Sequence, residues 1–103
     1  MTDSNSNRQY DHIRLALFVD TSLLSSVVLK QIRTLKSDLN ISDEQVMIYN
    51  IRDDIESTIK YSVIACPTLI RLDLDPPRRL IGELRNRDLV VAFLNSAPPG
   101  RNL

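Results

Sequence analysis

The sequence is poor in the residues that usually carry redox, metal and nucleotide chemistry. Its 103 residues include one cysteine, one histidine, two glycines and no tryptophan. One cysteine cannot form an intrachain disulfide, and Cys66 with His12 falls short of the four ligands that a structural zinc site normally takes. Gly82 and Gly100 lie too far apart to build a glycine-rich phosphate loop. We therefore expect no cofactor and no metal.

Long apolar runs and an excess of one charge are also missing. No stretch approaches the roughly 20 apolar residues of a membrane span. Thirteen basic and thirteen acidic residues cancel, so charge gives no argument for nucleic acid or an anionic membrane. Residues 1–9 are polar, without the apolar core of a secretory signal. We expect a cytoplasmic protein with a disordered head at 1–11, one domain at 12–96 and a flexible tail at 97–103.

The first half of the chain predicts a βαβ unit. Residues 13–19 are mostly apolar and predict a strand buried on both faces. Val28, Ile32, Leu35 and Leu39 recur at helical spacing, which predicts a helix over 23–39. A second strand is predicted over 46–51. The two strands are expected to be parallel, because a helix connects them.

The second half is more ambiguous. Asp53 and Glu56 have capping-box spacing before a short helix over 54–62, while residues 61–65 suit a strand as well as a helix end. Residues 68–74 alternate apolar and charged, which predicts a half-exposed strand. After a turn at 75–77, residues 79–84 are expected to return antiparallel, and Asn86 or Asp88 to cap a last helix. The order βαβαββα is that of a thioredoxin-like α/β fold.

Disulfide exchange in that fold needs two cysteines where the first helix begins, since the helix N-terminus lowers a thiol pKa. This chain has Asp20, Thr21 and Ser22 there. The two-thiol reaction is therefore excluded. Cys66 precedes Pro67, so a single-cysteine redox or stress-response protein stays open as an alternative function. Free cysteines are more often small buried apolar residues.

Five arginines cluster in the second half, at Arg71, Arg78, Arg79, Arg85 and Arg87. Arginine is enriched in protein interfaces because its planar guanidinium pairs well with carboxylates. The alternative is a solvated surface with internal pairs to Asp73, Asp75 and Glu83. The sequence leaves both interpretations open.

The segment from Ala65 to Val90 resembles the KaiB family of clock proteins of cyanobacteria and other bacteria, and a weaker likeness begins at Arg14. The family pattern is approximately Ala-Thr-Pro-Thr-Leu, a short strand, a proline-rich turn, Arg-Arg-(Ile/Leu)-Ile-Gly-(Asp/Glu)-Leu, then Ser-Asn-Arg and an apolar helix. This chain matches that pattern at Ala65, Pro67, Thr68, Leu69, Pro76, Arg78, Arg79, Ile81, Gly82, Glu83, Leu84, Asn86, Arg87 and Val90.

The resemblance implies a non-enzymatic regulator. KaiB proteins bind the hexameric ATPase KaiC, and KaiA or a SasA-like kinase pathway are further implied partners. Their first half is constant, whereas the second takes either the thioredoxin-like order or a rearranged order, βαββααβ overall, which packs as tetramers. A monomer–tetramer or dimer equilibrium is therefore expected. We predict that Arg71, Arg78, Arg79 and Arg87 make partner or oligomer contacts and have no catalytic role, and that Pro67, Pro76 and Pro77 are the fold-switch prolines.

The chain also departs from the family pattern. Cys66 replaces a threonine, Asp20-Thr21-Ser22 lacks the usual Gly-Asn, and Phe93 stands where clock-type members often have glycine. The acidic C-terminal tail is missing. These departures are typical of a divergent paralogue, and they leave open which KaiC homologue is bound and whether KaiA is sequestered.

Overall fold

A computed structural model describes residues 9–21 and 26–96. The predicted order βαβαββα is confirmed, with one additional short 3-10 turn before the second strand. In chain order, the elements are β1 (Leu15–Val19), α1 (Ser26–Leu39), the 3-10 turn (Asp43–Gln45), β2 (Val46–Asn50), α2 (Ile55–Lys60), β3 (Thr68–Arg71), β4 (Arg78–Ile81) and α3 (Arg87–Asn95).

The strands form one sheet in the order β2-β1-β3-β4. β1 and β2 are parallel, as the βαβ interpretation predicts, with Leu17 opposite Ile48. β3 runs antiparallel to β1, and β4 antiparallel to β3. β1 and β3 are therefore the two central strands, and β2 and β4 are the edges.

Two apolar clusters lie on opposite faces of this sheet. The larger joins inward residues of β1 to the apolar stripes of α1 and α3; its members include Leu15, Leu17, Val19, Val28, Ile32, Leu35, Val90, Phe93 and Leu94. The smaller is built on Ala16, Phe18 and Ile70. There the Phe18 ring stacks on Tyr49 with centroids 4.8 Å apart and meets Tyr61 edge-on at 5.9 Å. The second face is thus covered by aromatic rings together with aliphatic side chains such as Ile51, Val63 and Leu72.

The third strand differs from its prediction. It ends at Arg71 rather than residue 74, and all four of its residues are buried instead of alternating with solvent. The reason is its central place in the sheet, where helices cover one face and the Phe18 cluster the other. The polar side chains of Thr68 and Arg71 can be buried in this strand because both form hydrogen bonds inside the protein.

The start of α2 also differs from its prediction. The helix begins at Ile55, with Asp54 at the N-cap position, and no capping box forms between Asp53 and Glu56. Both aspartates instead bind Asn50, whose N–H donates to Asp54 Oδ2 at 3.0 Å and whose amide donates to Asp53 Oδ2 at 3.1 Å. Residues 61–65 form a turn and irregular backbone, neither strand nor helix.

The last strand and helix are joined by a tight left-handed turn. β4 ends at Ile81, short of the predicted 84, because Gly82 and Glu83 both take positive φ, at 68° and 50°. No atom would clash with a Cβ at Gly82, so its backbone conformation is what requires glycine there. Asn86 rather than Asp88 caps α3, because its side chain accepts a hydrogen bond from Leu89 N–H at 3.2 Å.

The folded region begins earlier than the predicted residue 12. Tyr10 is buried, and its hydroxyl donates to Asn95 Oδ1 at 2.9 Å. The buried Gln45 amide donates to the carbonyls of Tyr10 and Ile13 at 2.8 and 3.0 Å. An aromatic side chain within a polar stretch thus docks onto the core. Residues 1–8 of the predicted head and the whole predicted tail lie outside the described residues.

Candidate protein interaction site

The four arginines implied as partner contacts do not form one cluster. Arg71 and Arg78 are directly opposite each other on β3 and β4. Arg79 follows Arg78 along β4, so its side chain leaves the other face of the sheet. Arg87 begins α3, across the turn that follows β4. A single arginine-rich surface is therefore absent from this arrangement of the described residues.

Arg71 lies inside the protein, contrary to its expected place on a contact surface. Only 2% of its side chain is exposed, and its Nη2 lies 2.6 Å from Asp73 Oδ2. Its Nη1 donates to the carbonyls of Phe93 and Ser96 at 3.2 and 2.9 Å, at the end of α3. This is the favourable end of the helix dipole for a cation. Arg71 therefore joins β3 to the end of α3.

Asp73 completes this buried group. Its Oδ1 accepts the backbone N–H of Arg14 at 3.1 Å, just before β1. Burial raises the pKa of Asp73, but the hydrogen bonds from Arg71 and Arg14 and the charge of Arg71 more than offset burial and leave the pKa lowered. An internal pair between an arginine and Asp73 is one of the alternatives that the sequence leaves open. The burial of this pair is not predicted by the sequence.

Arg79 and Arg87 are exposed and also have internal contacts. Arg79 Nη2 donates to the Tyr61 carbonyl at 2.7 Å and Nη1 to the Ser62 carbonyl at 3.3 Å. Arg79 thereby ties β4 to the segment that follows α2. Arg87 Nη1 lies 3.0 Å from Asp38 Oδ2, with both side chains nearly half exposed. Such a pair is weak, so it leaves Arg87 available to a partner.

The three prolines lie at the two ends of β3. Pro67 precedes the strand and lines an open groove of about 700 Å³, bounded by Val28, Pro67, Glu83, Leu84, Arg85 and Asn86. Pro76 and Pro77 form the turn between β3 and β4. The Cys66–Pro67 and Asp75–Pro76 peptide bonds are cis. Among the described residues that line this groove, none is a buried polar or charged residue.

Cys66 is placed unfavourably for redox chemistry. Its thiol is partly buried beside the Phe18 cluster. Burial raises the pKa of Cys66, and the nearby Asp20 carboxylate raises it further. A reactive thiol needs the opposite environment, one that favours the thiolate. The structure therefore gives the single-cysteine redox hypothesis no support.

Three isoleucines on and after α2 are exposed, although the sequence pattern did not predict an apolar surface there. Ile55 and Ile59 are 58% and 71% exposed, and Ile64 is 90% exposed. The helix itself contributes no buried residue. Their spacing of four places Ile55 and Ile59 on the same side of α2, which was the available signal. An apolar surface of this kind is typical of a protein contact site.

Other site classes find little support in the described part of the chain. Within residues 9–21 and 26–96, no three His, Cys, Asp or Glu side chains are grouped to hold a metal ion. No helix in these ranges is long and apolar enough to cross a membrane. The best candidate site is therefore the apolar surface formed by Ile55, Ile59 and Ile64. Arg79 supports this surface through its hydrogen bonds to the carbonyls of Tyr61 and Ser62.

Comparison with known proteins agrees with this description. The chain superposes on the solution structure of the N-terminal domain of Synechococcus elongatus SasA with a TM-score of 0.62. Sequence identity is 20%, and the match covers 80% of this chain and 78% of that chain, which supports a shared thioredoxin-like fold. No curated protein matches the sequence significantly. The family model for the KaiB domain matches residues 16–96, most of the chain, and the chain therefore belongs to the KaiB family.

Proposed function

We propose that the protein is a non-enzymatic regulator that binds a KaiC-type hexameric ATPase and modulates circadian or related timing. The observation that carries this proposal is the KaiB domain match over residues 16–96. A protein-interaction role also suits the end of β1, where Asp20 and Thr21 replace the thiols of a redox enzyme. Regulation would then depend on binding and not on a chemical step.

The proposed contact surface is α2 together with the segment that leads to β3. Ile55, Ile59 and Ile64 supply exposed apolar area, which is the main source of association free energy. Arg79 is a positioning residue for this surface, since it holds the carbonyls of Tyr61 and Ser62 between the second and third isoleucines. Arg87 is proposed as a separate contact at the start of α3.

The proposal includes the other implied properties of the family. These are a cytoplasmic location, KaiA or a SasA-like kinase pathway as further partners, and exchange with the rearranged tetrameric form. Rearrangement of the second half is supported by the weak anchoring of α2, which contributes no buried residue. Pro67, Pro76 and Pro77 flank the strand whose neighbours would change.

Size-exclusion chromatography with light scattering tests the proposal, using the purified chain and the KaiC homologues of its host. Ile59→Asp should weaken complex formation by about tenfold or more, because it places a charge in an apolar contact. Val27→Asp is a matched control, since Val27 is an exposed apolar residue on α1. Absence of any complex after hours of incubation would refute ring binding.

Charge reversal tests the arginines separately. Arg87→Glu should weaken the complex directly, and Arg79→Glu should weaken it by releasing the segment after α2. Unchanged binding would remove the residue concerned from the site. Cys66→Ser distinguishes the redox alternative, because ring binding should survive this substitution whereas a thiol-dependent activity should not.

A further inference from the structure

The two edges of the sheet are protected very differently. β4 contains Arg78 and Arg79 and follows two prolines, and charges and prolines discourage edge-to-edge pairing. β2 has the sequence Val-Met-Ile-Tyr-Asn, with neither a charge nor a proline. Met47 and Ile48 are 51% and 50% exposed on its two faces. The β2 edge therefore has the features of a strand that pairs with another chain.

The hydrogen bonds of β2 show which backbone groups face outward. Ile51 N–H donates to the Val19 carbonyl at 2.9 Å, so alternate residues from Met47 onward bond to β1. The N–H and carbonyl groups of the residues between them point outward from the free edge of the sheet. Val46 N–H is already bonded to the Asp43 carbonyl, and Asn50 N–H to the Asp54 carboxylate. Within the described structure, Ile48 alone in β2 thus directs both an unbonded N–H and an unbonded carbonyl outward.

We infer that β2 pairs antiparallel with β2 of a second copy of this chain, about a two-fold axis at Ile48. Each Ile48 N–H then donates to the Ile48 carbonyl of the other copy. The two-fold axis repeats the Ile48 N–H to Ile48 carbonyl bond, so one residue from each copy supplies two hydrogen bonds. This arrangement suits an edge on which only Ile48 has both its N–H and its carbonyl unbonded. Symmetry also fixes the register, because Ile48 opposite itself places Met47 opposite Tyr49.

The side chains are complementary in this register. On the α1 face, the two Ile48 side chains meet beside a groove of about 330 Å³ whose apolar walls include Leu29 and Ile32. On the opposite face, Met47 of each copy meets Tyr49 of the other, which extends the Phe18–Tyr49 stack. The apolar area exposed on both faces is therefore covered by the second copy.

One pair of opposite charges lies just outside the strand. Glu44 is in the 3-10 turn that precedes β2 and Arg52 is in the turn that follows it, so the pairing brings the Glu44 turn of one copy alongside the Arg52 turn of the other. Glu44 is exposed, and the Arg52 side chain is 60% exposed although its Nε contacts Asp20. Opposite charges across an interface favour this orientation over a shifted one.

The dimer should be weak, because a five-residue strand covers an area at the low end of specific interfaces. Sedimentation velocity from about 5 to about 500 µM protein covers the dissociation constants expected of such contacts. Ile48→Lys should raise the dissociation constant by about tenfold or more, because two ammonium groups then face each other. Ile81→Lys is the matched control, since Ile81 is a similarly exposed isoleucine on the other edge strand.

A charge exchange provides a second test that leaves the strand itself unchanged. Glu44→Arg and Arg52→Glu should each weaken the dimer by about threefold to tenfold, and the double variant should restore it. Hydrogen exchange at the Ile48 amide should slow with rising protein concentration. A protein that stays monomeric throughout, a dimer disrupted by Ile81→Lys but not by Ile48→Lys, or protection of Ile48 only by a different protein would each overturn the inference.

Discussion

The buried Arg71–Asp73 pair leads to the sharpest stability prediction. Asp73→Asn keeps the size of the side chain and an oxygen that accepts the Arg14 N–H, but it removes the charge that faces a guanidinium only 2% exposed. Breaking a buried ion pair by removing one partner costs about 3 to 5 kcal/mol. We expect about 3 kcal/mol, because Arg71 keeps the Phe93 and Ser96 carbonyls as acceptors. That is a large part of the stability of a small domain, about 5 to 15 kcal/mol.

Urea denaturation followed by far-UV circular dichroism measures this loss. Asp43→Asn is the control, because Asp43 pairs with Lys36 but is 95% exposed. It should leave the denaturation midpoint nearly unchanged, since exposed ion pairs are screened by water. If Asp73→Asn moved the midpoint no more than Asp43→Asn, the buried pair would not stabilise the fold as argued.

The same pair gives a pH dependence of defined sign. The pKa of Asp73 is lowered in the folded protein, so its contribution is present above the ordinary carboxyl pKa of about 3.9 and is lost as the pH falls through the folded value. The stability difference between the wild type and Asp73→Asn should therefore be constant near neutrality and shrink below about pH 4. A difference that persisted unchanged at low pH would contradict the assignment.

Two further predictions concern α3 and Cys66. Asn86→Ala should lower the free energy of unfolding by about 1 kcal/mol, because it removes the acceptor for Leu89 N–H, whereas Asn86→Asp should keep the cap; equal urea midpoints for the two variants would contradict the capping role. Cys66 should react with iodoacetamide near neutral pH more slowly than glutathione, since burial and the Asp20 carboxylate raise its pKa, and Asp20→Asn should increase the rate. A Cys66 thiol faster than glutathione would revive the redox hypothesis.

The fold could be predicted well wherever the apolar residues follow the spacing of a single strand or helix. Strand β1 and the apolar stripe of α1 are unambiguous because their positions face one continuous core. The predicted start of α1 at residue 23 lies outside the described residues. β3 was assigned the wrong exposure because an alternation of charged residues normally indicates solvent. Arg71 breaks that rule by finding a carboxylate and two carbonyls inside the protein.

The candidate site was harder to predict, because sequence rules assign apolar residues to the core. Ile55 and Ile59 lie on a helix too short and too peripheral to bury them. Tyr10 shows the converse error, since its polar neighbours conceal a buried ring. Neither case is visible from local pattern alone. Both depend on which surfaces the sheet leaves uncovered.

The contacts of Arg71 also affect how the C-terminal half can open. The guanidinium connects β3 to the end of α3, and Asp73 connects the same group to the residue before β1. If α3 left while β3 stayed, Arg71 would exchange two charge-assisted hydrogen bonds for contacts with water, and Val90, Phe93 and Leu94 would leave the core in the same step. A form in which only α3 is released would therefore lose both kinds of contact at once. This single side chain thus couples the last helix to the central strand.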